Sequence, residues 1–395
     1  MGVLYFLAAG RFHFSWGEAF DFKIGENIEN LLVALIVARG LRRDIELSLL
    51  SRAAQSIVPG LGLLFVGLTL AAILHPSLET VEDILRLFGQ LAVGALLAEW
   101  VVAKGSTNST WYGAFLFGIV ALLIRTPWGA LDDPNLEGPF PHRNIQAAFC
   151  LLSVPLVLAP FLERRIRLDW KIVSGLAVLL VMGLFMILSR GRSGLIACLF
   201  VCGLILLKSV RFHRWGGKGT RLVLYAGALM GLLLVVGSLV PRFEDFGQEV
   251  FDPYRRSRIP IWAAAVEGWR DPTVLLFGIG MGDNFDRVLL ETPQGNLNYR
   301  YRKAHYPHGL YLQWIYWGGM TALLGWLTLG FSVVRRLWGK EIALRRFLFG
   351  AFLTGYLILE IFESAFRDPR VAALFWMILF LFHGDPESEG EGTDG

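Results

Sequence analysis

From its N-terminus the chain alternates long apolar stretches with short polar ones, and the alternation runs almost to its end. Apolar runs cover residues 1–10, 27–41, 57–75, 84–103, 111–126, 144–162, 171–189, 193–209, 221–241, 309–334, 345–366 and 371–384. Most approach or exceed the roughly 18 residues that carry a helix across a hydrocarbon core about 30 Å thick. The pattern predicts an all-α polytopic membrane protein of about 12 transmembrane helices. Residues 1–384 read as one transmembrane helical domain. Within it, residues 242–308 form a long loop between the ninth and tenth helices, with amphipathic helices of its own. Residues 385–395 are dominated by Gly and acid and cannot bury surface to offset ordering, which predicts a disordered tail. The first residues lack the basic region and small-residue cleavage site of a signal peptide and read as a shortened span.

Charge gives the spans a direction. Four basic clusters occupy short connections: Arg39, Arg42, Arg43 and Arg52; Arg164, Arg165, Arg167 and Lys171; Lys208, Arg211, Arg214, Lys218 and Arg221; and Arg335, Arg336, Lys340, Arg345 and Arg346. When the spans alternate, all four fall on one side, which the positive-inside rule makes cytoplasmic, together with both termini. The connections Arg11 to Glu26, which carries Trp16, Phe20 and Phe22, and Pro76 to Asp83 then face outward. So does the loop 242–308, although it holds Arg242, Arg255, Arg256, Arg258, Arg270, Arg287, Arg300, Arg302 and Lys303. Cations on that face run against the rule and require another reason.

Composition narrows the class. Of the 395 residues 54% are hydrophobic and 18% charged, with mean hydropathy +0.52, against roughly 25% charged in soluble domains. That excludes an ordinary cytosolic enzyme. The net charge of +4 resides in topological clusters, which argues against a nucleic-acid partner. Cys150, Cys198 and Cys202 sit inside apolar runs without neighbouring His or acid, and read as small buried residues with no disulfide or zinc framework.

Three external segments place cations or imidazoles at helix starts. In Ser189-Arg190-Gly191-Arg192-Ser193-Gly194, a tight turn between two spans, Gly191 suits positive φ and Ser193 can cap the next helix. Free N–H groups, the positive dipole end and two arginines make a ready anion site; the plainer alternative is two arginines snorkelling to headgroups. In Arg255-Arg256-Ser257-Arg258-Ile259-Pro260-Ile261-Trp262, Pro260 fits a first helical position, and Ile259, Trp262, Val266 and Trp269 mark one apolar face. Its alternative is an interfacial helix on anionic lipid. In His305-Tyr306-Pro307-His308-Gly309-Leu310-Tyr311-Leu312-Gln313, His308 stands at the start of a span, where the helix dipole favours the neutral, proton-accepting imidazole, with His305 farther out. Other signals are weaker. Gly278-Ile279-Gly280-Met281-Gly282 lacks a βαβ context and reads as a turn. Asp132 with Asp133, and Asp283 with Asp286, read as turn and cap residues rather than metal ligands, and Asn108-Ser109-Thr110 is a sequon on the cytoplasmic side.

Taken in order, the Ser-Arg-Gly turn at 189–191, Arg258-x-x-x-Trp262, the stretch from Asp271-Pro272 through Gly278-x-Gly280-x-Gly282-Asp283-Asn284-Phe285, and His308-Gly309-Leu310-Tyr311-Leu312-Gln313 resemble the O-antigen ligase family, whose superfamily includes O-antigen polymerases. The resemblance runs from about Asn144 to the helix after the loop. It implies a twelve-span, GT-C-like glycosyltransferase of the bacterial inner membrane with a periplasmic active site. Its donor would be an undecaprenyl-pyrophosphate-linked glycan and its acceptor lipid A-core or another glycan, with membrane lipids as surroundings. By the same resemblance Arg190 and Arg258 bind pyrophosphate and His308 is catalytic. Arg192, Arg255, Arg256, His305, Trp262 and Tyr311 are supporting candidates, and no metal or other cofactor is called for. Gly309 departs from the family, where Asn often follows the His. The chemistry expected is inverting attack by an acceptor hydroxyl, with the helices at 193–209 and 309–334 meeting around a lateral opening for the polyprenyl chain. The alternatives are a polymerase, a protein O-oligosaccharyltransferase, or a transporter of an anionic lipid.

Overall fold

The computed structural model describes residues 13–15, 21–23, 48–104, 112–113, 115–117, 119–120, 143–158, 170–188, 192–211, 259–281, 285, 307–339 and 342–384. The spans expected at 1–10, 27–41 and 221–241, the tail at 385–395 and much of the loop 242–308 lie outside the described residues. Ten helices among the described residues are labelled here in chain order: α1 (Ser48–Leu74), α2 (Leu78–Lys104), α3 (Arg143–Val157), α4 (Trp170–Leu188), α5 (Arg192–Arg211), α6 (Ile259–Gly268), α7 (Pro272–Phe277), α8 (Leu310–Leu337), α9 (Leu344–Phe362) and α10 (Pro369–Gly384), with a 3-10 turn at Ala365–Arg367. Segments Leu49–Leu74, Leu78–Val102 and Leu310–Leu337 are long and apolar enough to cross a membrane, by length and composition.

The described residues are helical, as expected, apart from one small ribbon. His13–Ser15 (β1) and Asp21–Lys23 (β2) pair as an antiparallel ribbon with Phe14 opposite Phe22, inside the segment read as a plain connection. Three-residue strands held by a cross-strand aromatic pair leave no trace in a hydropathy run. A correction concerns α1, which begins at Ser48 and not near residue 57, so Arg52 lies inside the helix and not in a connection. Its Nε donates to the Gly384 carbonyl at the end of α10, at 2.8 Å. A cation at a helix C-terminus meets the negative end of the dipole there.

Packing follows small residues. On α1, Gly60, Leu64 and Gly67 face Gly318, Ala322, Gly325 and Leu329 of α8. A Cβ on Gly67 would stand 2.5 Å from the Gly318 carbonyl, and one on Gly60 2.9 Å from the Gly325 carbonyl. Backbones this close gain dispersion contact that larger residues would forbid, which is how helices associate in lipid. Gly94 of α2 meets Trp376 of α10 in the same way. Helices α9 and α10 are buried nearly all round and form the centre, as helices without a polar stripe must. Helix α9 packs on both α5 and α8, and the last two also touch at one end through Lys208.

Helix α8 is broken. Gly318 (φ −150°, ψ 21°) and Gly319 (φ 68°, ψ −166°) leave helical geometry. Trp314 thereby comes within 5.4 Å of Trp326, ring to ring, although a straight helix would separate them by about 18 Å along its axis. The Tyr316 carbonyl accepts from the Ile279 amide at 2.7 Å. Gly278 (φ 75°) and Gly280 (φ 90°) make the turn that brings Ile279 there, so the glycine run is a close-packing turn, as the sequence indicates. Helix α7 leads into it, capped by Asp271. The Thr273 hydroxyl (2.6 Å) and amide (2.8 Å) both donate to that carboxylate and hold it below its ordinary range.

The charged ends sort cleanly. Lys208 Nζ donates to the Leu337 carbonyl at 3.1 Å, His383 lies 3.2 Å from Ser332 and 3.5 Å from Arg336, and the Leu50 amide donates to Glu99. Together with Arg52 on Gly384, these contacts bring Arg52, Lys208, Arg335, Arg336, Arg345 and Arg346 to one end of the bundle.

Candidate functional site

His308 sits at the opposite end, where the chain enters α8. Its φ is 50°, the only positive φ of a non-glycine among the described residues. Left-handed backbone costs such a residue on the order of 1–3 kcal/mol and concentrates at functional sites, with His among the more tolerant types. The sequence explains how the turn is held. Gly309, extended at φ −171°, is the N-cap of α8 and makes no side-chain cap bond, while the Leu310 amide donates to the Glu363 carbonyl at 3.1 Å. The end of α9 therefore closes the start of α8.

Glu363 also supplies a side chain. Its carboxylate is 1% exposed, and Oε1 lies 3.6 Å from His308 Nδ1, an ion-pair separation longer than a hydrogen bond. Asn144 Nδ2, at the start of α3, donates to the other oxygen at 2.5 Å. A buried carboxylate is tolerated only when partners replace its water; here an amide from α3 serves one oxygen, and the other faces the imidazole before α8. Three chain segments distant in sequence thus converge on one carboxylate. Nearby on α9, Glu360 is fully buried and accepts from the Phe366 amide at 3.1 Å.

The other expected residues divide. Trp262 belongs to the site: its ring stacks on Phe362 at 6.3 Å, and its Nε1 lies 3.7 Å from where a Cβ on Gly309 would stand. Tyr311 turns away, its hydroxyl donating to the Leu357 carbonyl at 3.0 Å to brace α8 on α9. Arg192 begins α5. Lys208 lies over the Phe347 ring, and equal stretches of chain separate Lys208 from Arg192 and Phe347 from Glu363, so the first turn of α5 is level with Glu363. Ser193 falls inside α5, not at its cap. Its Oγ is buried and finds no partner among the described residues. Arg190, Arg255, Arg256, Arg258 and His305 lie outside the described residues. On α6, Ile261, Ala264 and Ala265 are buried against Tyr316 and Phe285 with Trp269 packed beside them, while Val266 is 51% exposed. Small alanines permit the close approach that lets the Tyr316 hydroxyl reach the Ala265 carbonyl at 2.6 Å.

Among the described residues no three His, Cys, Asp or Glu side chains are grouped to hold a metal; Asp132, Asp133, Asp283 and Asp286 lie outside them. The cysteines are free thiols, Cys150 and Cys198 buried and Cys202 half-buried. Sequence reasoning did not assign Glu363 or Asn144 to the site. An acid inside an apolar run was a usable signal for the first. For Asn144, a helix-start amide, there was none.

The fold and site define a helical membrane protein whose buried carboxylate and imidazole meet at the end of the bundle opposite its basic clusters. Residues 177–327 match the family model for O-antigen ligase, which bears out the resemblance read from the motifs and supports a glycosyltransferase of the ligase or polymerase type. The match covers part of α4, all of α5 to α7 and α8 to Leu327, and contains His308 but neither Asn144 nor Glu363. No curated protein matches the chain.

Proposed function

We propose that this protein transfers a glycan from an undecaprenyl-pyrophosphate carrier to an acceptor hydroxyl, with lipid A-core as the acceptor, at the periplasmic face of a bacterial inner membrane. The observation that carries the reading is His308 beside buried Glu363, in a chain matching the O-antigen ligase family. The basic end of the bundle is then cytoplasmic, with both termini. Arg190, two residues before α5, and Arg258, immediately before α6, match the charge of the pyrophosphate, and forked guanidiniums suit its oxygens. Arg192, Arg255 and Arg256 add to the positive field.

The steps balance without a covalent enzyme intermediate. As the acceptor oxygen attacks the anomeric carbon, its proton passes to His308 Nε2, the ring nitrogen turned away from Glu363. The bond from that carbon to the pyrophosphate oxygen breaks, and undecaprenyl pyrophosphate leaves with the electron pair, steadied by the arginines. Configuration inverts, and the imidazolium returns its proton to the leaving pyrophosphate or to water.

The test uses full-length protein in proteoliposomes with undecaprenyl-pyrophosphate-linked O-antigen and lipid A-core. His308→Ala, Arg190→Ala and Arg258→Ala should each lower transfer by at least about 10²-fold while the protein still inserts. Wild-type transfer by the His308 variant would overturn the reading. The lipopolysaccharide of a deletion strain fixes the acceptor class: unattached long polymer marks a ligase, and glycan of single repeats marks a polymerase.

A further inference from the structure

We infer that Glu363, anchored by Asn144, is the positioning residue of His308 and supplies the negative charge that the imidazolium meets during transfer. The inference rests on the general-base reading of His308. Glu363 meets the His308 turn twice: its carbonyl accepts from the Leu310 amide (3.1 Å), and its carboxylate faces Nδ1 at 3.6 Å. The first contact fixes where α8 starts. The second selects the ring face, directing Nδ1 inward and Nε2 toward an acceptor. The carboxylate cannot swing away, because Asn144 Nδ2 holds its other oxygen at 2.5 Å and the side chain is 1% exposed.

The energetics favour a working role over a structural one. Closing a helix end on α8 needs only the Glu363 carbonyl, and a neutral side chain would spare the desolvation of a buried carboxylate. The carboxylate becomes useful when the ring acquires charge, since in a low-dielectric surrounding a fixed anion a few ångströms away stabilises the imidazolium far more than water would. No proton moves to Glu363. It holds Nδ1–H in place while Nε2 takes the acceptor proton, and such contacts commonly shorten once substrate binds.

The experiment compares wild type, Glu363→Gln, Glu363→Asp, Asn144→Ala, His308→Gly and the double variant His308→Gly/Glu363→Gln, all full-length in the proteoliposome assay above. Glycine accepts the left-handed backbone at 308, so that variant removes the ring and little else. Glu363→Gln should lower kcat by about 10²- to 10⁴-fold with donor KM changed less than about threefold. Glu363→Asp should recover a measurable part, Asn144→Ala should cost kcat about tenfold at unchanged donor KM, and the double variant should be no slower than His308→Gly alone. Wild-type kcat in Glu363→Gln beside an inactive His308→Gly overturns this inference and leaves the general base standing. An active His308→Gly overturns the general base itself. Where the Gln variant fails to accumulate in membranes, wild-type kcat in both Glu363→Asp and Asn144→Ala overturns the inference instead.

Discussion

Gly309 carries the tightest steric condition in the site. Its backbone is extended, so any residue could adopt it, but a Cβ would lie 3.0 Å from the Ile361 carbonyl and 3.7 Å from Trp262 Nε1. Gly309→Ala should therefore fold and insert while shifting the His308 turn by a few tenths of an ångström. Initial rates at saturating donor should fall by less than about tenfold, given that a displacement near 1 Å costs about 10². An unchanged rate would mean that the turn is not held as tightly as the contact implies. His308 itself was legible from local context, because a histidine directly before a long apolar run needs no tertiary information. Glu363 and Asn144 are partners across helices far apart in sequence, and pairing of that kind is not encoded in spacing. Tyr311 shows the converse. Its motif position suggested the site, and burial against α9 sent its hydroxyl to Leu357.

At the scale of elements, the boundaries of α4, α5, α8 and α10 were readable to within a few residues, since charges or glycines bracket each apolar run. The start of α1 was not, because Ser48, Ser51, Arg52 and Gln55 dilute hydropathy in a segment that helix packing and the Gly384 carbonyl nevertheless order. The break in α8 was equally hidden, as paired glycines within a span are common and only the docked α7 distinguishes this pair. Gly319→Ala should be severely destabilising: its φ is 68°, and a Cβ would overlap the Leu276 carbonyl. The left-handed backbone and the overlap together should cost on the order of 3 kcal/mol. Gly62→Ala and Gly203→Ala, where a Cβ meets nothing within 4 Å, should be neutral or slightly stabilising by helix propensity. Thermal unfolding of the detergent-purified variants checks the contrast, and equal melting of all three would contradict it.

Across the whole molecule the separation of ends carries the prediction. His75 is exposed between α1 and α2, at the end that holds His308, and Gly339 is exposed between α8 and α9, at the basic end. In a Cys202→Ala background, the remaining native thiols being buried, His75→Cys should react with a membrane-impermeant maleimide in cells with a permeabilised outer membrane. Gly339→Cys should react only after the inner membrane is opened. The reverse pattern would place the His308 end in the cytoplasm. The alternation of basic connections was legible along the sequence, and the structure brings three of the four clusters to one end through contacts that hydropathy does not contain.

The break at Gly318 and Gly319 also bears on the order of assembly. An unbroken helix would pair the Tyr316 carbonyl with the amide four residues on, whereas here the Ile279 amide, from the preceding connection, takes it. In lipid an unpaired carbonyl costs several kcal/mol, so the helix has no reason to open before the Gly278–Gly280 turn arrives. Opening and docking are then one cooperative event, and the first eight residues of α8 reach their final direction only when it occurs. The His308 turn stands at the head of those residues. The His308 end of the bundle thus takes its final direction together with that docking.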